Sequence, residues 1–161
     1  MSGDNLPKAC LRVLDAARAS SLDIEIRLMA DSTRSAEEAA AACGTVPARI
    51  VKSLVFTGKQ SGKPVLLLVS GANRVKENLV AKSIGEKITR PDAAFVREAT
   101  GFAIGGIPPF GHAAEIETWL DEDLLQYETV FAAAGTPNAV FEIDPKALQT
   151  ACKAQAIAVH D

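Results

Sequence analysis

The stretch Ile50-Val-Lys-Ser-Leu-Val-Phe-Thr57, followed by Gly58-Lys-Gln-Ser-Gly-Lys63 and Pro64-Val-Leu-Leu-Leu-Val-Ser70, decides the fold. Two runs rich in Val, Leu and Ile flank a polar loop that contains glycine, which is the pattern of two β-strands joined as a hairpin. The strands of a hairpin pair antiparallel. We therefore expect an antiparallel pair at the centre of a sheet.

Shorter elements surround this hairpin. Ser35-Ala-Glu-Glu38 is a capping box that opens a helix ending at Gly44. Apolar periodicity and helix-start signals predict further helices over 6–19, 75–83, 91–99 and 145–153, and alternation predicts strands over 24–28, 115–120, 129–133, 139–143 and 157–159. The expected fold class is therefore α/β mixed (α+β), a single domain over 1–161 with a largely antiparallel sheet surrounded by helices.

Length and composition exclude several classes of protein. The chain has 161 residues, 48% of them apolar and 23% charged, as in a soluble domain with a sizeable core. No apolar run approaches the roughly 18 residues that span a bilayer. Residues 1–9 lack the order of a signal peptide, so we expect a cytoplasmic protein with no membrane partner.

Charge is distributed unevenly along the chain. The net charge of −3 argues against a protein that coats nucleic acid without specificity. Residues 49–97, however, hold ten basic and three acidic side chains, whereas residues 98–161 hold two basic and ten acidic ones. The basic segment is either a set of solvated faces or a patch that binds phosphates.

Cysteine and histidine are too sparse for a metal centre. Cys10, Cys43 and Cys152 are far apart in sequence, and His112 and His160 are the only histidines. These spacings match no zinc motif, and the cysteines are expected to be free thiols without a neighbouring base. We expect neither a metal nor a cofactor.

The segment Gly105-Gly-Ile-Pro-Pro-Phe-Gly111 is the most informative for function. Its glycines allow close backbone approach, while Pro108 and Pro109 fix φ and remove two donors. The remaining N–H groups are constrained, as donors to a carbonyl or phosphate oxygen must be. The alternative interpretation is a tight turn between a helix and a strand. In either case we expect its apolar side chains, Phe102, Ile104, Ile107 and Phe110, to help build the core.

Lys52 lies inside an otherwise apolar strand. An unpaired buried ammonium is costly, so Lys52 points either into a pocket or to a water-facing edge of the sheet. Ser70-Gly-Ala-Asn73 forms a tight turn at the end of the next strand. By its position His112 is a candidate general base, although a lone His beside a loop is more often a supporting residue.

Taken in order, these segments resemble the YbaK/EbsC family, which contains the editing domain of prolyl-tRNA synthetase and its free-standing relatives. The resemblance covers roughly residues 24–150 and rests on seven segments, 35–40, 49–56, 66–71, 100–102, 105–111, 134–135 and 144–148. It implies a barrel-like sheet and hydrolysis of the ester of mischarged aminoacyl-tRNAs, often tRNA for proline that carries alanine, cysteine or serine. The implied partners are the aminoacylated acceptor end of tRNA and, as an open alternative, a synthetase.

The resemblance also implies roles for single residues. Lys52 matches the strand lysine that contacts the phosphate near the terminal adenosine, and Gly105 to Pro109 match a loop whose amides surround the scissile ester. The candidate catalytic residues are therefore Lys52, Gly105, Gly106, Ile107 and Pro109, and the candidate substrate-binding residues are Phe110, Ser53, Ser70, Gly71, Ala133 and Val140. The family mechanism is substrate-assisted and needs no metal.

One departure leaves the amino acid open. Several members carry an acidic or His side chain in the strands near 133–141 that helps to select the amino acid, but residues 131–141 contain neither Asp nor His. Ala133 and Val140 would make the pocket more apolar, and one methylene there discriminates by only about 1–3 kcal/mol. The rival interpretation is a non-catalytic module that binds a nucleotide or an amino acid, or docks on a synthetase.

Overall fold

The structure is a computed structural model that describes residues 6–30, 33 and 35–161. The first five residues of the N-terminal segment considered above lie outside the described residues. The helices are α1 (Lys8–Ala19), α2 (Ala36–Cys43), α3 (Glu77–Ile84), α4 (Ala93–Thr100) and α5 (Pro145–Cys152). The strands are β1 (Ile26–Leu28), β2 (Val51–Gly58), β3 (Pro64–Ser70), β4 (Ile88–Thr89), β5 (Glu117–Asp121), β6 (Val130–Ala133), β7 (Ala139–Ile143) and β8 (Gln155–Ile157).

The predicted hairpin is confirmed. β2 and β3 pair antiparallel from Val51 opposite Ser70 to Thr57 opposite Pro64. The loop closes because the Gly58 amide donates to the Lys63 carbonyl at 2.9 Å. β3 is buried on both faces, since a core lies on each side of it, and this explains its unbroken apolar run.

The hairpin belongs to a mixed five-stranded sheet in the order β4-β2-β3-β5-β8, in which β5 is parallel to both of its neighbours. A second sheet, in the order β1-β7-β6, is antiparallel throughout. Within the described chain four strand pairs are antiparallel and two are parallel, as the largely antiparallel prediction requires. The sheets meet at a bridge between Ile50 and Phe131, and they do not close into a full barrel.

The main core lies where the two sheets, α1 and the loop after α4 meet. β2 divides its side chains between two cores, because alternate residues point to opposite faces of a strand. Val51 and Val55 pack into the main core, while Leu54 and Phe56 pack into a second core against α3. From the loop, Ile107 and Phe110 enter the main core, so packing fixes the loop's position relative to β2.

The predicted helix ends hold with small shifts. The Ser35 capping box is present, and Gly44 ends α2 in the left-handed conformation. α4 begins at Ala93 rather than at Pro91, because the Asp92 carboxylate caps the Phe95 amide at 2.8 Å. No helix among the described residues is long and apolar enough to cross a membrane.

The last strand is displaced from the predicted 157–159 to Gln155–Ile157. Lys153 ends α5 with a positive φ of 51° and turns the chain directly into register with β5. Val159 is fully buried, but its carbonyl accepts from the Lys76 amide instead of joining the sheet. The predicted burial of Val159 is therefore correct, but Val159 lies in a loop and not in a strand.

Candidate functional site

A cleft of about 490 Å³ opens between β2, the start of α2 and the loop after α4. We call it the central cleft. Its walls bring together four of the residues singled out in the sequence, Lys52, Ser53, Gly105 and Ile107, and a fifth, Ala133, comes from β6. The other lining residues are Thr33, Ser35, Ala36, Ile50, Val51, Leu54 and Ile104.

Lys52 supplies the cation of the central cleft. It lies on β2, and its Nζ donates to the Asn73 carbonyl at 2.8 Å. Partial burial lowers the pKa of Lys52, while the carboxylates of Glu37 and Asp121 act in the opposite direction. An ammonium that has lost part of its water gains more from an anion than an exposed one, so this position suits a phosphate.

A buried carboxylate holds the turn that positions Lys52. Asp121 is fully buried at the end of β5 and accepts from the Ser70 amide at 3.0 Å and from the Asn73 side chain at 2.7 Å. Asn73 also donates to Asp123 at 2.9 Å. Because the backbone carbonyl of Asn73 is the acceptor for Lys52, these bonds fix where the ammonium points.

The loop after α4 presents backbone donors opposite this cation. Gly105 has a φ of 104°, a conformation that favours glycine. The Gly106 carbonyl accepts from the Gly135 amide at 2.9 Å, which fastens the loop to the turn between β6 and β7. The amides of Gly105 and Ile107 have no hydrogen-bond acceptor among the described residues, and both residues line the central cleft.

The back of this loop is braced. His112 donates from Nε2 to the Pro108 carbonyl at 2.7 Å and packs edge-on against Phe102, and burial lowers the pKa of His112. The Cys152 thiol donates to the Pro109 carbonyl at 3.2 Å, and burial raises the pKa of that thiol to about 12. Neither residue lines the central cleft. His112 therefore supports the loop, and Cys152 stays protonated and unreactive at neutral pH.

The interior of the central cleft is largely apolar. Val51, Ile107 and Ala133 border it, and Val140 is buried directly opposite Ala133 across the β6–β7 pair. One polar atom stands out, because the Ser53 hydroxyl is buried and has no hydrogen-bond partner among the described residues. A small, uncharged group fits these walls.

Several predicted site residues lie outside the central cleft. The Ser70 hydroxyl donates to the Ala48 carbonyl at 2.7 Å and so holds β3 against the segment before β2. Gly71 lies close to the same segment, because a Cβ atom at this position would be 2.4 Å from the Pro47 carbonyl oxygen. Phe110 packs on Phe141 in the main core. Four further candidates do not line the central cleft and lie behind it, in the loop or in the core: Gly106, Pro109, Phe110 and Val140.

The N-terminus of α2 and Ile104 are lining residues that sequence reasoning missed. Ser35 was identified only as a helix cap, which it is. Nothing local in the sequence shows that this cap faces β2, since the contact depends on how α2 packs. Ile104 lines the central cleft and is 58% exposed, which its apolar type does not indicate in the sequence.

The polar groups of the central cleft are one ammonium, three hydroxyls and backbone amides. Its lining residues include no Asp, Glu, His or Cys. In the part of the chain that the structure describes, no three such side chains are placed to hold a metal ion. The arrangement can hold a phosphate and a carbonyl oxygen at once, but its lining residues include no carboxylate or histidine to activate a hydroxyl as a nucleophile.

Comparison with known proteins agrees on one family. A family model described as the aminoacyl-tRNA editing domain matches residues 30–151. The protein YwhH of Bacillus subtilis is 35% identical over 117 residues, 73% of this chain and 74% of YwhH. The "Putative Cys-tRNA(Pro)/Cys-tRNA(Cys) deacylase EbsC" of Enterococcus faecalis is 30% identical over 115 residues, 71% of this chain and 70% of its own.

A solved structure is similar over nearly the whole chain. It is described as "a putative trans-editing enzyme for prolyl tRNA synthetase", and it is 40% identical with a TM-score of 0.91. The match covers 98% of this chain and 99% of the other. The two sheets and their surrounding helices are thus a fold already observed in a related protein.

Proposed function

Because the chain belongs to the aminoacyl-tRNA editing domain family, we propose that it hydrolyses the ester between a small, wrongly attached amino acid and the 3′ end of a tRNA. One observation carries the proposal. The central cleft brings the Lys52 ammonium and the unpaired amides of Gly105 and Ile107 around a single small apolar space. These are the groups that a terminal nucleotide, an ester and a short side chain need.

In this proposal Lys52 binds the phosphate on the 5′ side of the terminal adenosine. The bond to the Asn73 carbonyl keeps the ammonium in place, and its partial burial makes the phosphate contact stronger. The adenosine then places its ribose at the mouth of the central cleft and the aminoacyl group inside. Binding of the nucleotide thereby positions the ester against the loop.

The amides of Gly105 and Ile107 receive the ester carbonyl oxygen. Water adds to the carbonyl carbon, the oxygen becomes an oxyanion, and the aligned N–H donors stabilise its charge. The neighbouring ribose hydroxyl of the adenosine orients the water, and as it takes the water's proton it passes its own proton to the leaving ribose oxygen. The carbon–oxygen bond to the ribose then breaks, the ribose oxygen takes up this proton, and the products are the free amino acid and uncharged tRNA.

The walls favour a short, uncharged amino acid. Ala133, Val51 and Ile107 limit its size, and the cleft has no carboxylate to select a charged side chain. Alanine, serine and cysteine fit this description, and the Ser53 hydroxyl offers a partner for a polar atom. EbsC is named as a deacylase of Cys-tRNA(Pro) and Cys-tRNA(Cys), and the solved relative is described as a trans-editing enzyme for prolyl tRNA synthetase, which supports tRNA for proline as the acceptor.

We also propose that α1 belongs to the same editing unit, although it lies before the segment that the family model matches. Cys10 and Val13 are fully buried in the main core. Arg12 donates to the Gly101 carbonyl at 2.8 Å, just before the loop of the central cleft. Removing α1 would therefore unpack the support of that loop.

The test is a panel of tRNAs for proline that carry alanine, serine, cysteine or proline. We expect release of at least one of the three small amino acids and retention of proline. Turnover of none of them, with measurable binding of adenosine 5′-monophosphate, would refute hydrolysis and favour a non-catalytic binding module. Hydrolysis of all four at one rate would refute selection by the apolar walls.

A further inference from the structure

A smaller groove of about 220 Å³ continues from the central cleft, and we call it the side groove. The two spaces share the walls made by Ser53, Leu54, Ile104 and Ile107. The remaining walls of the side groove are Val55, Phe56, Arg90, Pro91 and Val96, none of which is a candidate site residue above. The two spaces therefore adjoin along these shared walls.

The side groove combines an exposed apolar wall with a cation. Ile104 is 58% exposed, the highest value among the large hydrophobic side chains described, and it stands at the border of the two spaces. Arg90 lies over the Phe56 ring at 5.8 Å, and its side chain is 72% exposed. Planar guanidinium groups are surfaces on which nucleobases stack, and an exposed aliphatic side chain beside one adds apolar contact.

Positive charge extends from one space to the other. Burial is the main cause that lowers the pKa of Lys52, and the nearby cations Arg74 and Arg90 lower it further. Glu77 contacts Arg90 at 3.4 Å, but this ion pair is exposed to solvent and weak, so a phosphate can replace it. Lys52 lines one space and Arg90 the other, so each space has a cation that can contact a phosphate.

Resting on the proposed function, we propose that the side groove binds the nucleotide that precedes the terminal adenosine. Lys52 would hold the phosphate that joins the two nucleotides. The preceding base would then pack on Ile104 and the Arg90 guanidinium, and Arg90 would contact the next phosphate. The side groove begins at Ser53 and Leu54, directly beside Lys52, so the strand can turn from one space into the other.

The test compares binding of two probes by calorimetry, adenosine 5′-monophosphate and the trinucleotide cytidine-cytidine-adenosine. We expect the trinucleotide to bind about fivefold or more tightly, because each stacked base adds to affinity. Arg90→Ala should remove most of this gain and leave binding of the monophosphate unchanged, because Arg90 lines the side groove only. Ile104→Ala should also reduce the gain, although Ile104 borders both spaces. Arg18→Ala and Val46→Ala are matched controls, since both residues are exposed and neither lines either space.

Equal affinity of the wild type for both probes would refute the assignment of the side groove as a nucleotide site. The assignment would also be refuted if Arg90→Ala and Ile104→Ala kept the full gain in affinity for the trinucleotide. A loss of monophosphate binding in Arg90→Ala would also overturn it, because Arg90 would then serve the central cleft. Hydrolysis does not enter this readout. Trinucleotide binding that depends on Arg90, without turnover of any mischarged tRNA, would support the side groove and refute the proposed reaction.

Discussion

Replacing Gly106 by alanine tests whether the position of the loop controls catalysis. A Cβ atom at Gly106 would lie 2.7 Å from the backbone of Thr136, whereas ordinary carbon contacts are about 3.5–4.0 Å. Thr136 cannot yield easily, because its carbonyl accepts from the Ala139 amide at 3.2 Å at the start of β7. The loop must therefore move by roughly 1 Å, and overpacking of this kind costs about 1–3 kcal/mol of stability.

The same movement displaces the amides of Gly105 and Ile107 from the ester. A misplacement of about 1 Å at a reacting centre can reduce the rate roughly 100-fold. We expect Gly106→Ala to lower kcat/KM for the preferred mischarged tRNA by this order, measured by release of labelled amino acid. Urea denaturation gives the loss of stability in parallel.

Gly62→Ala is the matched control for Gly106→Ala. Gly62 lies in the hairpin loop at a φ of 71° with open space around its Cα, so alanine costs about 1–2 kcal/mol through backbone strain alone. We expect this variant to lose stability and to keep its activity. A Gly106→Ala protein that is destabilised yet hydrolyses the substrate within about threefold of the wild-type rate would refute the assignment of the loop amides.

Two further predictions concern the supports of the site. Asp121→Ala should lower the free energy of unfolding by about 2–3 kcal/mol, because the buried Ser70 amide and one of the two N–H groups of the Asn73 side chain lose their acceptor. Asp15→Ala on the exposed face of α1 should change it little, and equal effects in urea denaturation would contradict this. Burial lowers the pKa of His112 in the folded protein, so its contribution to stability is full above the unfolded pKa of about 6.5 and is lost as the pH falls below that value. The hydrogen bond between His160 and Asp123 raises the pKa of His160, so the contribution of His160 to stability has the opposite pH dependence over the same range. The measurement is therefore made in a His160→Gln background. There, stability should fall between pH 7 and 5.5, and His112→Gln should flatten the curve; an unchanged slope would contradict the argument.

The elements with local signals were predicted well. The hairpin, the Ser35 cap and the glycine at position 44 depend on neighbours in sequence, and each is present. The pairing of β3 with β5 and the separate sheet of β1, β7 and β6 were not predicted, because these contacts join distant segments. Apolar pattern alone does not select among such pairings.

The candidate site shows the same division. Lys52, Ser53, Gly105, Ile107 and Ala133 meet in the central cleft, although they come from three separate segments. Ser70 and Gly71 lie beside it and hold the chain together, because a tight turn has the same composition whether it binds a ligand or a neighbouring backbone. Ser35 and Ile104 were missed because their contribution depends on packing, not on spacing.

The most direct test of the central cleft is the single-turnover rate of Lys52→Met on the mischarged tRNA that the wild type hydrolyses fastest. Methionine keeps the length of the side chain and removes the ammonium, and Lys82→Met on the exposed face of α3 is the control. We predict that Lys52→Met is about 10- to 100-fold slower at subsaturating protein, as expected for loss of one charge-assisted contact, and that the control is unchanged. A Lys52→Met rate within about twofold of the wild type would contradict the assignment of this cleft as the site of hydrolysis.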